Sequence, residues 1–150
     1  MEKDYAGDWI KIKKLYEYLD YDEWTWNDGQ PIYLKDITAA IIDHHPEEAE
    51  PYGDTYKHPF ETKSNDWHIG RVIYYINHPE EISGIELDNP CFENMILPQI
   101  FVVDGNHRWM AARWLYEKGM LDEICCTYGG RIDVLEYLKG VIEEMPNDVV

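Results

Sequence analysis

Basic residues are scarce in this chain of 150 residues. Thirteen Lys and Arg side chains stand against 30 Asp and Glu, which gives a formal net charge of −17 at pH 7. A surface of this charge repels a polyanion, so the attraction that supplies most nonspecific DNA affinity has the wrong sign. Direct DNA binding is therefore disfavoured, unless the fold gathers a locally basic cleft or metal ions bridge to phosphate.

Cysteines and long apolar runs are scarce as well. The three cysteines include the adjacent pair Cys125 and Cys126, so we expect no disulfide framework and a reducing, cytoplasmic location. No apolar run approaches the length that spans a bilayer, and residues 1–5 show no signal-peptide pattern, so no membrane partner is expected. Hydrophobic content of 45% argues against disorder, and the length favours one domain over residues 1–150.

Helical and strand periodicities alternate along the chain, which indicates an α/β domain of the mixed α+β type. The predicted helices lie at 8–19, 36–45, about 65–78, 106–118 and about 131–145, with Asp8, Asp36 and Ser64 as N-caps. The predicted strands lie at 32–34, 84–88, 99–103 and 123–127, and 99–103 is expected to be the central one. Residues 46–62 form one long loop, and loops of this length are often functional.

The stretch from Gln99 to Leu115 places a polar block between a strand and a helix. The β-favouring run ends at Asp104-Gly105, a turn-forming pair, and a helical pattern follows at once. Unpaired backbone N–H groups and the positive end of the dipole lie at such a helix start, so an anion is stabilised there. Arg108 adds a planar charged group suited to phosphate oxygens, and His107 adds a titratable donor.

These residues predict a phosphate-binding corner. The candidate catalytic residues in it are Asp104 and His107, and the candidate ligand-binding residues are Gly105, Asn106, His107 and Arg108. The structural alternative is that Asp104 only caps the helix and that Arg108 pairs with a surface carboxylate.

The same block resembles the signature of the ParB/sulfiredoxin-like superfamily, in which a Gly-x-x-Arg turn opens an alanine-rich helix and binds nucleotide phosphates. The match consists of Gly105, His107, Arg108, Ala111 and Ala112. The resemblance covers residues 30–130 and implies the family's first strand at 30–37, its first core helix at 67–76 and its second strand at 82–89. Residues 1–29 are then a helical N-terminal extension, and residues 131–150 a C-terminal helix.

Asn106 marks a departure from the family pattern. Sulfiredoxins have a nucleophilic cysteine directly before the His-Arg pair, and partition-protein CTPases have a glutamate followed by two arginines. This chain has Asn106-His107-Arg108 instead. The resemblance therefore implies neither sulfinic-acid reduction nor the CTP-switch chemistry.

A second polar group opens the helix predicted at 65–78. In the resembled fold, residues at the start of this helix face the nucleotide. The resemblance therefore implies ligand contacts from Ser64, Asp66, His68 and Arg71, with Lys63 as a loop cation. The alternative is plain capping by Ser64, dipole stabilisation by Asp66 and a solvated Arg71. The two interpretations stand about even.

The motif Asp43-His44-His45-Pro46 resembles the Asp-His-His motif of a phosphoesterase family that binds two metal ions, which makes Asp43, His44 and His45 candidate metal ligands. That family needs further aspartate motifs on separate strands, and none is visible upstream here. Adjacent imidazoles on a helix also diverge by about 100°. A polar pair at a helix terminus is therefore the favoured interpretation.

Three functions remain open at this point. The first is binding of a nucleotide or another phosphate-bearing ligand, with phosphoryl transfer or nucleotide hydrolysis as the associated chemistry and Mg²⁺ with a nucleoside triphosphate as the candidate cofactor. The second is a ParB-like nuclease, which would need a basic strip built from Lys57, Lys63, Arg71, Arg108 and Arg113. The third is a non-catalytic acidic protein that occupies a nucleic-acid-binding protein partner. A fold of this kind does not choose among them.

Overall fold

The computed structural model describes residues 7–19, 23–25, 30–50, 63–89, 91–92, 95–96 and 100–146. In chain order the elements are β1 (Asp8–Lys11), α1 (Ile12–Tyr16), β2 (Glu23–Trp24), β3 (Ile32–Tyr33), α2 (Leu34–Ile42), α3 (Asn65–Asn77), a 3₁₀ turn (Pro79–Glu81), β4 (Ile85–Asp88), β5 (Cys91–Phe92), β6 (Met95–Ile96), β7 (Phe101–Asp104), α4 (Asn106–Glu117), β8 (Glu123–Gly129) and α5 (Ile132–Lys139). The mixed α+β class predicted from the sequence is confirmed.

Four strands form a mixed sheet in the order β1-β8-β4-β7. The β8 strand pairs antiparallel with β1 and parallel with β4, so that Ile85 lies beside Cys126. The β4 strand pairs antiparallel with β7 on its other side. Two short antiparallel ribbons, β2–β3 and β5–β6, lie outside this sheet. The strand that the resemblance implies at 30–37 is too long. Only Ile32 and Tyr33 form a strand, β3, and the chain is helical from Leu34 to Ile42.

The helix predicted over 8–19 is wrong in its first half, where the chain forms β1. Ile10 lies opposite Ile124 of β8, and both side chains are buried. The backbone of β8 needs a partner on this side, and β1 supplies it, so tertiary pairing outweighs the helical spacing of the apolar residues. Asp8 is accordingly not an N-cap. Residues 8–11 belong to the main sheet and not to a helical extension.

Two further predictions about elements need correction. The strand predicted as central, 99–103, is seen as β7 at the edge of the described sheet, where Phe101 and Val103 are exposed. The last helix ends at Lys139 and not near 145, because Gly140 adopts a left-handed conformation with φ of +86° and stops it. The other predicted helices and strands are present, with ends shifted by a few residues. Asp36 is not the N-cap of α2, because the helix already begins at Leu34 after Tyr33; Asp36 lies in its first turn and accepts from the Tyr33 backbone N–H at 2.8 Å.

The α4 helix is the centre of the core. Trp109, Ala112 and Leu115 are buried as their spacing predicts, and Met110 and Ala111 are buried as well. The α3 helix packs along α4, and small side chains at Ala111 and Ala112 allow helices to approach closely. No helix in the described ranges is long and apolar enough to cross a membrane.

Arg113 lies inside this core rather than on the surface. Its side chain is 4% exposed, and it donates to the Leu19 carbonyl at 3.1 Å and to the Tyr16 hydroxyl at 2.9 Å. The guanidinium also lies 4.2 Å from the centre of the Tyr16 ring. Arg113 therefore joins the C-terminal end of the α1 region to α4, and it does not contribute to a basic surface strip.

We expect Arg113→Met to lower the free energy of unfolding by about 2 kcal/mol, because two charge-assisted hydrogen bonds are lost inside the protein. Urea denaturation followed by circular dichroism measures the change. Lys13→Met, which removes the same charge from an exposed position of α1, is the control and should shift stability by less than about 0.5 kcal/mol. Equal stability of the two variants would contradict the interior role of Arg113.

Candidate functional site

A glycine turn joins β7 to α4. Gly105 has a φ of +96° and its carbonyl accepts the first helical hydrogen bond, from the Trp109 N–H at 2.8 Å. A Cβ atom at this position would lie 3.2 Å from both the Ile85 Cα and the Arg108 guanidinium. Gly105 is therefore required twice, by its backbone conformation and by close packing against β4. The turn presents the first N–H groups of α4 at the end of the strand.

Arg108 is fixed at this turn by contacts on two sides. Its Nη1 donates to the Ser83 carbonyl, and its Nη2 lies 3.7 Å from the Asp104 carboxylate. Gly84, which has a φ of +69°, leaves room for the guanidinium, because a Cβ there would come within 3.3 Å of Nη1. The side chain of Arg108 is 22% exposed and that of Asp104 is 69% exposed. A cation is thus held in a defined place, with part of its surface open to solvent.

The first turns of α3 and α4 meet at a pair of histidines. His68 Nδ1 and His107 Nε2 are 2.8 Å apart, which is a hydrogen-bond distance, and the two rings are within 12° of parallel. Trp67 stands perpendicular to both rings, at 90° to His68 and 84° to His107. His68 is completely buried. Residues 64–68 and 105–108 are called the two-helix corner from here on.

The histidine pair carries no charge near neutral pH. Burial lowers the pKa of His68 to about 4. Burial, aided by the charges of His68, Arg71 and Arg108, lowers the pKa of His107 to about 3. A proton added to either ring would lack water and would face positive charge, which explains the direction of both shifts. Both imidazoles are therefore neutral hydrogen-bonding groups and not cations.

The other candidates at the start of α3 have different positions. Ser64 caps the helix by accepting from the Trp67 N–H at 3.2 Å, as predicted. Lys63 lies over the Trp67 ring, 5.6 Å from its centre. The Asp66 side chain is 89% exposed and has His45 4.0 Å away, so it points outward. The structure thus brings Ser64 and His68 to the two-helix corner and leaves Asp66 at its outer rim.

Arg71 is buried and bonds to other groups of the protein. It is 6% exposed and donates to the carbonyls of Glu48 and Ala49, at 3.1 and 3.0 Å, and to the Tyr75 hydroxyl at 2.7 Å. These bonds hold residues 48 and 49 against α3. The backbone N–H of Glu48 also donates to the Gly70 carbonyl, at 2.9 Å. Neither interpretation given for Arg71 anticipated this role, since both placed its charge at a ligand or in solvent.

The three candidate metal ligands after α2 are not gathered into a site. Asp43 ends the helix, His44 has a φ of +58°, and the His45 ring contacts the Pro46 carbonyl at 2.8 Å. In the part of the chain that the structure describes, the one group of three side chains with suitable ligand spacing is His78, Glu80 and Glu81. His78 also bonds to Glu47, which raises the pKa of His78, and the hydrogen bonds from Asn77 and then from His78 lower the pKa of Glu47.

The sequence patterns do not predict two features of the site. The spacing around Trp67 predicts only a helix and not a ring beside both histidines, and the pattern at Ser83-Gly84 predicts the start of a strand and not a turn that holds Arg108. A Ser-Gly pair directly before an apolar strand was the available signal for the second. Lys57 of the postulated basic strip lies outside the described residues.

Comparisons with protein-family models, curated protein sequences and solved structures gave no match to this chain. The resemblance to the ParB/sulfiredoxin-like superfamily therefore stays a prediction.

Replacement of Gly105 by alanine should destabilise the protein by about 1–3 kcal/mol, because it combines a left-handed backbone with a close contact to Ile85. Gly119→Ala is the matched control, since Gly119 also has a positive φ, of +72°, but nothing within 4 Å of the added carbon. Chemical denaturation of both variants separates the cost of the left-handed backbone from the cost of the close contact. A larger loss for Gly119→Ala would contradict the packing assigned to Gly105.

The neutral histidine pair predicts a pH dependence of stability. The unfolded chain binds protons at these histidines near pH 6.5, whereas the native protein binds them only near pH 4 or 3. Stability should therefore fall as pH decreases from about 6.5 toward 4, by up to about 1.4 kcal/mol per pH unit for each histidine. Urea denaturation at several pH values measures the slope. His68→Asn should reduce this slope by the contribution of one proton, about 1.4 kcal/mol per pH unit. An unchanged slope would show that His68 is not held neutral.

Proposed function

We propose that this protein binds a phosphate-bearing small molecule, most simply a nucleotide, at the two-helix corner. The observation that carries the proposal is the 2.8 Å contact between His68 and His107, because it brings the N-terminal turns of two helices together. Each turn offers backbone N–H groups and a positive dipole end. Two such ends side by side repel each other, and an anion between them relieves the repulsion.

Charge at the corner supports an anionic ligand. Arg108 is fixed at the edge with part of its surface exposed, and the histidines between the helices are neutral. Among the described residues, the carboxylate nearest to Arg108 is that of Asp104, at 3.7 Å, and this distance is too long for a strong ion pair. In a chain of net charge −17, the corner has the positive charge of Arg108 against one exposed carboxylate at its rim, that of Asp66, so this region is less acidic than the chain as a whole.

His107 fits a binding role better than acid catalysis. With a pKa of about 3, it has no extra proton to give at neutral pH, but a neutral ring still donates one N–H to a phosphate oxygen. Asp104 remains the candidate catalytic residue, since its carboxylate is exposed at the end of β7. Phosphoryl transfer or nucleotide hydrolysis therefore stays an extension of the binding proposal.

Asp104 also fits a Mg²⁺-nucleotide complex. It lies directly opposite Glu86 on the neighbouring strand, and both residues are exposed. Two carboxylates so placed repel each other, and Mg²⁺ is commonly held by one or two carboxylates together with substrate phosphates. Asp104 and Glu86 are the residues that would hold the ion, which would supply charge neutralisation at the phosphates.

The buried arginines weigh against the nuclease alternative. Arg71 and Arg113 were two of the five residues in the postulated basic strip, and both donate their hydrogen bonds inside the protein. Too few cations remain near Arg108 to offset the overall charge against duplex DNA. The reducing, cytoplasmic location remains part of the proposal, and Cys125 and Cys126 are buried thiols.

A thermal-shift panel tests the proposal directly. Inorganic phosphate, AMP, ADP, ATP and CTP are compared with and without Mg²⁺, and a ligand at about 100 times its dissociation constant should add about 2.7 kcal/mol of stability. Absence of any shift across the panel would contradict the proposal and would favour the acidic interaction protein. Divalent-dependent DNA cleavage that is lost in Arg108→Ala would favour the nuclease.

Arg108→Ala should weaken binding of the best ligand in that panel by about 2 kcal/mol, because a charge-assisted contact to phosphate is lost. Isothermal titration calorimetry gives the affinities. Lys118→Ala is the matched control, since it removes one positive charge just beyond the other end of α4. If both variants lose the same affinity, the effect comes from net charge and the assignment of Arg108 is wrong.

A further inference from the structure

The C-terminal end of α3 carries one imidazole and two carboxylates close together. His78 ends the helix, and Glu80 and Glu81 follow in the 3₁₀ turn that begins with Pro79. One ligand atom from each of these three side chains lies within 4.8 Å of the other two. His78, Glu80 and Glu81 are called the His78 cluster from here on. The cluster lies at the opposite end of α3 from the two-helix corner, because a helix of 13 residues spans about 20 Å.

The spacing and chemistry of these atoms fit a transition-metal ion. His78 Nδ1 and Glu80 Oε1 are 3.6 Å apart. Zinc bonds of about 2.1 Å in a tetrahedral arrangement separate neighbouring ligand atoms by about 3.4 Å, so a small side-chain rotation is enough. An imidazole nitrogen with carboxylate oxygens is a donor set typical of Zn²⁺ and related ions, whereas Mg²⁺ and Ca²⁺ prefer oxygen ligands alone.

Side chains outside the His78 cluster orient its ligands. The second ring nitrogen of His78, Nε2, lies 3.2 Å from Glu47, and Asn77 holds that carboxylate from its other side at 2.9 Å. The Tyr74 hydroxyl donates to Glu81. A metal-binding histidine characteristically donates its second N–H to a carboxylate, which fixes the ring and leaves a lone pair on the first nitrogen. Glu47 therefore turns Nδ1 of His78 toward the two carboxylates as an acceptor.

The backbone that carries the three ligands is held in place. The Glu81 N–H donates to the His78 carbonyl at 2.9 Å, and the Ile82 N–H donates to the Pro79 carbonyl at 3.0 Å. The Ile82 side chain is buried, which anchors the end of the turn in the core. The turn also follows the C-terminal end of α3, where the helix dipole is negative and a cation is stabilised.

We propose that the His78 cluster binds a divalent transition-metal ion, with zinc as the best match, through His78 Nδ1 and one oxygen each of Glu80 and Glu81. A carboxylate has two oxygens, so the Tyr74 contact at Glu81 leaves an oxygen for the ion. A proton on Nδ1 bonds mainly to one carboxylate, whereas an ion of charge +2 bonds to both. Three protein ligands leave the fourth tetrahedral position for water or another ligand.

NMR of the histidine side chains tests the proposal on the unmodified protein. Protein labelled with ¹⁵N-histidine is titrated with zinc chloride in a buffer that does not bind the metal. We expect one equivalent of zinc to shift the Nδ1 signal of His78 and to leave its proton on Nε2. Zinc that leaves His78 unchanged, or that binds first at His44 and His45, would overturn the proposal. His78 would then be only a protonated partner of its carboxylates.

Matched substitutions separate a metal centre from the general attraction of cations to an acidic protein. Zinc affinity measured by calorimetry should fall at least about tenfold in Glu81→Gln, which loses a ligand. It should fall about tenfold in Glu47→Gln, which loses only the acceptor of the His78 Nε2 proton. Glu143→Gln removes the same charge outside the cluster and should bind zinc within about twofold of the unmodified protein. Equal losses in Glu143→Gln and Glu81→Gln would overturn the proposal.

The imidazole is the ligand that distinguishes the His78 cluster from a purely acidic surface. His78→Gln should lower zinc affinity at least about tenfold, and His44→Gln, at an exposed histidine after α2, is its control and should not. Circular dichroism confirms that both variants are folded. Calcium in tenfold excess should not displace the zinc. Displacement by calcium, or equal zinc affinity in His78→Gln and His44→Gln, would show a nonspecific acidic surface and would overturn the proposal.

Discussion

The packing of α3 against α4 at their first turns is the contact on which the candidate site depends. A hydrogen bond between the buried ring of His68 and the partly buried ring of His107 joins the helices there, and the Trp67 ring packs beside both. The glycine turn at Gly105 sets where α4 begins, and the bonds from Arg71 to residues 48 and 49 hold the neighbouring segment along α3. Because the rings are fixed, the positive ends of both helices are fixed beside each other.

The few arginines of this acidic protein are not simply spread over its surface. The chain is strongly acidic, yet two of its few arginines, Arg71 and Arg113, are buried and donate hydrogen bonds to backbone carbonyls and tyrosine hydroxyls. Their burial is stabilised by hydrogen bonds from their terminal nitrogens to carbonyls and tyrosine hydroxyls, and by the tyrosine rings that both guanidinium groups contact. Arg108 is left as the partly exposed arginine of the two-helix corner, which concentrates the attraction for anions at one place.

Local signals in the sequence were enough to predict much of the fold and part of the site. The Ser64 cap, the Asp104-Gly105 turn and the buried face of α4 follow from capping, turn chemistry and helical spacing, which all act within a few residues. The β1 strand did not follow, because its apolar spacing also fits a helix and only β8, more than a hundred residues later, decides between them. The pairing of His68 with His107 could not be predicted for the same reason, since nothing in the sequence near either residue specifies its partner.

The most direct measurement of the central claim is a backbone amide NMR titration with AMP and with inorganic phosphate. If an anion binds between the two helix starts, the largest shifts should occur at the amides of Asn106, His107 and Arg108 together with those of Asn65 and Asp66. Both groups should move with one dissociation constant. Shifts confined to one helix, spread over the surface or centred on α5 would contradict the account, as would no shift at either helix start.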